Sequence, residues 1–197
     1  MKNRILSGEY ETAEIEMCKR HFRPEERVLE LGAAIGYVSL FCQIHLSIQD
    51  YAVVEANPNT TRMLLENYRL NNKYPNLITA ALDRQDGTTE LSLNPDFWAD
   101  SLVNAHLSQN PCITVPSLTL SSILSKLPFR PSTLLIDIEG SEIHLGEEVI
   151  PAEVTKIVCE LHPELLGVKA AFKVISDFFK QGFQIIDNQS QVYVLAR

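Results

Sequence analysis

The sequence has little that would place the protein in a membrane or on a nucleic acid. No stretch approaches the roughly 18 consecutive apolar residues that a transmembrane helix needs. The 17 Lys and Arg residues are outnumbered by 25 Asp and Glu residues, so the formal net charge is -8, and no basic cluster stands out. Because sequence-independent nucleic-acid binding rests on basic contacts to phosphate, we expect neither a nucleic acid nor a membrane as partner.

Cysteine is scarce, and its spacing excludes two further classes of protein. The four cysteines, at positions 18, 42, 112 and 159, form no CxxC pair. This spacing argues against a structural zinc site and against a small disulfide-bonded scaffold. The first ten residues also lack the apolar segment of a secretory signal. We therefore expect a reduced, cytoplasmic protein.

Apolar segments alternate with helical segments along the chain. The 197 residues suffice for one domain with a substantial core, and we expect a single domain over residues 1–197. Strands rich in Val, Ile and Leu that alternate with helices indicate a mostly parallel sheet with helices on both faces. The segments predicted as strands are 27–31, 51–55, 77–81, 133–137 and 154–161, and those predicted as helices are 37–45, 57–71, 118–127 and 168–181.

The two ends and the middle of the chain depart from this alternation. Strands predicted at 183–186 and 191–195 are so close that they must form an antiparallel hairpin. This completes a seven-stranded, Rossmann-like α/β sheet, the architecture of class I methyltransferases. Residues 1–26 are predicted to be an N-terminal helical segment, with a helix over 9–22. The Asp86-Gly87 pair before an alternating segment, 88–93, predicts a hairpin turn, and residues 94–117 are a candidate cover of the active site.

The segment Glu30-Leu31-Gly32-Ala33-Ala34-Ile35-Gly36 connects the first strand to its helix. Gly32 permits a tight turn and lets a ligand lie against the backbone, and ligands of open α/β sheets bind beyond the carboxyl ends of the strands. A dinucleotide site would require GxGxxG, but Ala34 and Tyr37 occupy the second and third glycine positions of that motif. Glu30 would repel a pyrophosphate and suits the ammonium of a methionine moiety. The pattern favours S-adenosylmethionine; a plain tight turn is the alternative.

Two further acidic residues follow predicted strands. Glu55 ends the second strand, 23 positions after Gly32 (55 − 32). An acidic residue about 20 positions beyond such a loop can accept hydrogen bonds from the ribose hydroxyls; a solvated carboxylate at a strand end is the alternative. Asp83 follows the third strand, where it would approach the adenine or serve only as a turn residue.

Three carboxylates and a histidine follow the fourth and fifth strands. Asp137, Glu139 and Glu142 lie within six positions, and His162 follows the fifth strand. The carboxylates can accept a proton, pair with a basic substrate or bind a divalent metal through hard oxygen ligands. For Glu142 the alternative is a structural role, as a negative charge that stabilises a helix N-terminus. His162 is a candidate general base, since imidazole titrates near pH 7.

Taken together, these segments resemble the FkbM family of methyltransferases over about residues 27 to 163. Ser121 is a departure, since the family often has an acidic residue there. The resemblance implies methyl transfer from S-adenosylmethionine, often to a hydroxyl of a natural product or sugar, with S-adenosylhomocysteine as product. The segments that carry it are 28–40, Glu55-Ala56-Asn57-Pro58, Leu70-Asn71-Asn72, Ala81-Leu82-Asp83, 115–120, Ile136-Asp137-Ile138-Glu139-Gly140 and Glu160-Leu161-His162.

The expected function is therefore O-methylation of a small molecule. The alternatives are N-methylation of a small molecule or peptide, a non-catalytic binding module, and a nicotinamide-dependent oxidoreductase, which Glu30 disfavours. The predicted catalytic residues are His162, Asp137 and Glu139, and no metal ligand is assigned, although a divalent metal stays open. The predicted cofactor-binding residues are Glu30, Gly32, Ala33, Gly36, Tyr37, Glu55, Ala56, Asp83 and Asp137.

Overall fold

A seven-stranded sheet forms the centre of the computed structural model, which describes residues 10–93, 110–146 and 148–197. Its strand order is β3-β2-β1-β7-β8-β10-β9, and a three-stranded sheet of order β4-β6-β5 lies beside it. The strands are β1 Arg27–Leu31, β2 Asp50–Glu55, β3 Asn76–Thr79, β4 Ala81–Leu82, β5 Gly87–Ser92, β6 Cys112–Leu118, β7 Thr133–Ile136, β8 Lys156–Glu160, β9 Gln184–Gln189 and β10 Val192–Ala196.

Helices cover both faces of the large sheet, as the sequence predicts. Residues that alternate along β1 belong to two different core clusters, Leu29 and Leu31 to one and Val28 to the other. Burial of both faces explains why these strands are nearly continuous in apolar residues. None of the described helices is long and apolar enough to cross a membrane. The helices are α1 Thr12–His21, α2 Tyr37–His45, α3 Pro58–Leu70, α4 Leu120–Ser125, α5 Glu142–Gly146, α6 Pro163–Leu166 and α7 Val168–Lys180.

The direction of the strands places the candidate site residues at one edge of the sheet. Strands β3, β2, β1, β7 and β8 are parallel, and β10 runs antiparallel to both β8 and β9. The predicted parallel sheet with a closing antiparallel hairpin is confirmed. Because Ile136 pairs with Cys159, the next residue after each of them, Asp137 and Glu160, lies at the carboxyl edge of the sheet.

The segment around the predicted third strand differs from the prediction. The strand is interrupted at Ala80: β3 pairs with β2 in the large sheet, whereas β4 pairs with β6 in the small one. The hairpin predicted at Asp86-Gly87 is wrong, since β4 and β5 lie on opposite sides of β6. The Asp86 side chain instead accepts hydrogen bonds from the Thr119 N–H (2.8 Å) and the Ser122 hydroxyl (2.5 Å), beside the start of α4.

Strand β6 was not predicted. It pairs antiparallel with β5 and takes up residues 112–117 of the candidate cover; residues 94–109 lie outside the described part of the chain. The signal was weak because Pro116, which has no N–H to donate, occupies an interior position of the strand. Helix α4 is accordingly shorter than the predicted 118–127. At the N-terminus, α1 lies within the predicted 9–22. The single domain stays a prediction.

Candidate active site

An open cleft of about 680 Å³ lies at the carboxyl edge of the large sheet. The loop after β1, the end of β2, strand β4 and the turn after β7 all contribute to it. Its residues are polar on the side of β2 and β7 and apolar on the side of β4 and β5. They are Glu11, Leu31, Gly32, Ala34, Val54, Glu55, Ala56, Ala80, Ala81, Leu82, Leu91, Asp137, Ile138, Glu139 and Ser141.

Gly32 allows the loop after β1 to approach the turn after β7. It has a φ of +87°, and a Cβ at this position would overlap the main-chain oxygen of Asp137. The N–H groups of Gly32 and Ala33 both donate to the Val54 carbonyl (3.0 Å each), which ties the same loop to β2. Glycine is therefore required here for close packing of two loops, and this packing brings both loops into one cleft.

Gly36 occupies a different position from the one expected of a cofactor-binding residue. A Cβ at Gly36 would lie 3.0 Å from Tyr68 Cε2 and 3.1 Å from the Cγ of Leu64. Gly36 therefore faces α3, and it does not contribute to the cleft formed by the described residues. Gly36 directly precedes α2, and its φ of +77°, which glycine adopts readily, permits the turn into the helix.

Glu55 holds the same loop through both oxygens of its carboxylate. Oε2 accepts a hydrogen bond from the Ala34 N–H (2.9 Å), and Oε1 accepts one from the Asn57 N–H (2.8 Å). The side chain is buried at the wall of the cleft. These bonds fix the position of the carboxylate, and they also join the loop after β1 to the start of α3. Neither reading of Glu55 from the sequence included this structural role.

Glu30 lies in a second, smaller cavity on the other side of the loop, about 270 Å³ in volume and lined also by Ala33, Tyr37 and Tyr10. The rings of Tyr10 and Tyr37 meet edge to face, with centroids 5.5 Å apart. Only 2% of Glu30 is exposed, and its Oε2 has no hydrogen-bond partner among the described residues. Burial raises the pKa of Glu30 to about 8, although Tyr51 opposes the shift. An orphaned, buried carboxylate oxygen is costly unless a ligand satisfies it.

His162 lies at the end of β8, among carboxylates from the turn after β7. Its Nδ1 lies 2.7 Å from Oε1 of Glu142, whose side chain is fully buried. Its Nε2 lies 3.5 Å from Oδ1 of Asp137 and 3.5 Å from Oε2 of Glu139. Burial lowers the pKa of His162, but the hydrogen bond and charge of Glu142 and the charge of Glu139 outweigh it and raise the pKa to about 9.

This pKa bears on the predicted role of His162. An imidazole with a pKa of about 9 carries a proton at pH 7 and cannot accept another. The general-base role therefore stays a prediction that requires a neutral ring. The alternative reading of Glu142, a charge at a helix N-terminus, does not account for its bond to His162, because the carboxylate turns toward the imidazole.

An acidic cavity of about 830 Å³ continues from the cleft toward His162. Asp137, Glu139 and Glu11 line both, so the cleft and the acidic cavity adjoin at these residues. Burial and the neighbouring carboxylates raise the pKa of Glu160 to about 9, that of Glu11 to about 7 and that of Asp137 well above its usual range. The cavity is lined by Tyr10, Glu11, Thr12, Ala13, Glu14, Asp137, Glu139, Glu160, His162, Gln189 and Ser190, among which there is no Lys or Arg.

The structure brings most of the predicted site residues together. Gly32, Glu55, Ala56, Asp137 and Glu139 line the cleft, Glu30, Ala33 and Tyr37 the smaller cavity, and His162 the acidic cavity. Asp83 follows β4, and its N–H donates to the Leu118 carbonyl (2.9 Å). It is not among the described residues that line the cleft. The adenine contact predicted for Asp83 lacks support, and its neighbour Leu82 lines the cleft instead.

Sequence reasoning missed the acidic residues of α1 and β8. Glu160 could have been found, because it stands two positions before His162 and alternate residues of an extended chain point the same way. Glu11 and Glu14 carried no such signal. Glu14 lies in the first turn of α1 and Glu11 directly precedes the helix, with a φ of +51°, and nothing in the sequence indicates that this end of the helix lies beside the ends of β7 and β8.

Comparison with known proteins identifies the family of this chain. A family model described as the methyltransferase FkbM domain matches residues 30–184. The chain belongs to the FkbM methyltransferase family. No curated protein matches the sequence of this FkbM domain.

Solved structures of low sequence identity share the fold of the FkbM domain. A methyltransferase FkbM from Methylobacillus flagellatus KT superposes with a TM-score of 0.56 at 12% identity, covering 90% of this chain and 44% of that protein. The domain thus spans less than half the length of that relative. A ribosomal protein L11 methylase from Lactobacillus delbrueckii subsp. bulgaricus gives 0.54 at 12% identity over 90% of this chain and 72% of that one. The 16S rRNA methyltransferase RmtF, in complex with S-adenosyl-L-homocysteine, gives a TM-score of 0.51 at 12% identity, covering 100% of this chain and 64% of that one. The fold is that of class I methyltransferases.

Proposed function

We propose that this domain transfers a methyl group from S-adenosylmethionine to a hydroxyl of a small molecule, such as a natural product or a sugar. The observation that carries the proposal is the continuity of the two cavities. Asp137 and Glu139 line both the cleft beside Glu55 and the acidic cavity that contains His162. A cofactor held in the first cavity therefore presents its reactive end to the second.

The residues of the cleft fit the parts of this cofactor. The carboxylate of Glu55 suits ribose hydroxyls, and the apolar wall formed by Ala81, Leu82 and Leu91 suits an adenine ring. The unpartnered Oε2 of Glu30 suits an ammonium group. RmtF, which shares the fold, is described in complex with S-adenosylhomocysteine, the product of such a transfer. When bound, S-adenosylmethionine supplies a methyl group already activated by a positively charged sulfur.

The protein's own residues would then align the acceptor, exclude water and hold a proton. Good alignment alone can supply roughly 7–11 kcal/mol of the barrier. Asp137 and Glu139 lie at the junction of the cavities, where they can orient an acceptor hydroxyl and accept its proton. His162 takes that role only as a neutral ring, which requires another positive charge among the surrounding carboxylates.

A second candidate function follows from the charge of the acidic cavity. Glu11, Glu14, Asp137, Glu139 and Glu160 line it, without a Lys or Arg among the described lining residues. Such a surface suits an amine, so N-methylation of a basic small molecule or peptide is the alternative. Nucleic acid fits this cavity poorly, since its phosphates would meet carboxylates. A cytoplasmic location stays a prediction.

A methyl-transfer assay with labelled S-adenosylmethionine tests the proposal. Purified protein is incubated with matched sets of hydroxyl and amine compounds, and the Glu55→Gln variant serves as the control that weakens cofactor binding. We expect transfer to hydroxyl compounds that the control reduces. Transfer to amines alone would establish the alternative, and cofactor binding without transfer to any acceptor would indicate a binding module. Calorimetric heat from NAD but not from S-adenosylmethionine would contradict both.

A further inference from the structure

Asp137, Glu160 and His162 meet at the ends of two adjacent strands. One ligand atom from each lies within 4.8 Å of the others. The register of β7 and β8 fixes this meeting, because Ile136 lies opposite Cys159. Glu160 is the last residue of β8, Asp137 directly follows β7, and His162 lies two positions after Glu160, so the ends of two paired strands hold all three residues near one another.

The environment of His162 Nε2 is the observation that points to a ligand. The side chain is only 7% exposed, and this nitrogen lies beside two carboxylates that line the acidic cavity. Oxygens of Asp137 and Glu139 lie 3.5 Å from it, and neither makes a hydrogen bond to it within the described residues. The Oδ1 of Asp137 has no hydrogen-bond partner there either. His162 Nε2 and the two carboxylate oxygens thus lie at ion-pair separation rather than at hydrogen-bond separation.

A separation of 3.5 Å is long for a hydrogen bond but suits two ligands of one ion. Metal–nitrogen and metal–oxygen bonds of about 2.0–2.2 Å, at angles near 90–110°, put two ligand atoms about 3.0–3.5 Å apart. The distance from His162 Nε2 to Asp137 Oδ1 lies at the upper end of that range. This pair therefore has the spacing of two ligands of one ion, and one ligand atom of Glu160 lies within 4.8 Å of one from each of them.

Glu142 completes the resemblance to a metal site. A histidine that binds a metal almost always donates its other ring N–H to a carboxylate or carbonyl, which fixes the tautomer and the orientation of the ring. Here Nδ1 lies 2.7 Å from the buried Glu142 carboxylate. That contact leaves Nε2 as the atom turned toward Asp137 and the cavity.

We propose that Asp137, Glu160 and His162 bind one divalent transition-metal ion, with its remaining coordination positions open to the acidic cavity. Two carboxylates and one imidazole form a mixed oxygen and nitrogen set, in which the carboxylates suit Mn²⁺ and the imidazole suits the later first-row metals, whereas Ca²⁺ and Mg²⁺ prefer all-oxygen sites. Mn²⁺ serves as the probe ion. The site stands independently of methyl transfer. If the proposed function also holds, the ion faces the acceptor and can orient its oxygen.

Mn²⁺ binding to the full chain, stripped of metal beforehand, tests the site. We expect one Mn²⁺ per chain by calorimetry, and a ¹⁴N coupling from a directly bound imidazole in pulsed electron paramagnetic resonance. This second reading needs no variant, so it decides the question even if substitutions unfold the protein. A stoichiometry near zero at millimolar Mn²⁺, or bound Mn²⁺ without ¹⁴N coupling, would overturn the proposal.

Variants separate the site from general attraction between cations and an acidic surface. Asp137→Asn and Glu160→Gln should each weaken Mn²⁺ binding at least tenfold, and Glu142→Gln about 10–100-fold through the orientation of the ring. Glu153→Gln is the matched control, because its carboxylate is paired with Arg130 at the surface. Circular dichroism confirms folding of each variant. An equal loss in Glu153→Gln, or no loss in Asp137→Asn, would refute the assignment whether or not the protein transfers methyl groups.

Discussion

Glu30 offers a direct test of how this fold treats a buried carboxylate. Its pKa is raised by burial from 4.5 to about 8. A carboxyl group with a raised pKa in the folded state stabilises the fold fully below pH 4.5, and this contribution is lost as the pH rises through 8. From pH 5.5 to pH 8, 2.5 units at 1.36 kcal/mol each give a loss of about 3 kcal/mol.

Glu30→Gln removes this titration while keeping the shape of the side chain. We therefore expect the free energy of unfolding of the wild type to fall by about 3 kcal/mol relative to Glu30→Gln between pH 5.5 and pH 8. Urea unfolding at several pH values measures the difference. Glu16→Gln is the control, because Glu16 is half exposed and paired with Lys19. Parallel stability curves for the wild type and Glu30→Gln would show that Glu30 is not held in a strongly desolvated site.

The same residue links stability to cofactor binding. If the ammonium of S-adenosylmethionine meets Oε2 of Glu30, the positive charge will favour the ionised carboxylate, and binding at pH 7 will release a proton. Calorimetry in two buffers of different ionisation enthalpy detects that proton. The wild type should release it, and Glu30→Gln should not. Equal proton release by both would place the ammonium elsewhere.

Further predictions concern the loop and the catalytic cluster. Gly32→Ala should cost several kcal/mol of folding free energy in urea unfolding, more than Gly36→Ala, because its Cβ meets backbone rather than side chains. Glu55→Ala should weaken S-adenosylmethionine binding by about 1.5–3 kcal/mol in calorimetry; an unchanged dissociation constant would leave Glu55 only its structural role. If the positive charge of bound cofactor keeps the His162 ring neutral, so that it can accept a proton, His162→Ala should slow methyl transfer about 10²–10⁴-fold in the labelled-cofactor assay and leave cofactor affinity within a few-fold; unimpaired turnover would exclude His162 from catalysis.

The sheet could be predicted because its signals are local. Strands such as β2 and β8 are short apolar runs between helices, and the short predicted connection at residues 187–190 requires the last two strands to form a hairpin, which the structure has. The site residues at strand ends, such as Asp137 and His162, follow from the same reasoning, since parallel strands end at one edge. What they contact there depends on the order of the strands, which adjacency in the sequence does not give.

The parts that were missed depend on contacts between distant segments. Strand β6 contains Pro116, which weakens any strand signal, and its partners β4 and β5 are separated from it by the undescribed residues 94–109. The structural role of Gly32 was missed for a similar reason. The glycine was expected to make room for a ligand, but the atom nearest to its missing Cβ belongs to Asp137, more than 100 positions along the chain.

The carboxylates around His162 require a balancing charge. Asp137, Glu139 and Glu160 share a cavity with one imidazole, and Glu11, just before α1, and Glu14, in its first turn, line the same cavity. Without another cation, the repulsion and burial raise the pKa of Asp137, Glu160 and Glu11, which costs stability as the pH rises. A protein can retain such a cost when a positively charged ligand neutralises the carboxylates during function. A metal ion, an amine acceptor and the sulfonium of the cofactor can each supply the charge. Of these three, only a metal ion would be bonded directly to the ring nitrogen of His162, so the ¹⁴N coupling distinguishes it from the other two.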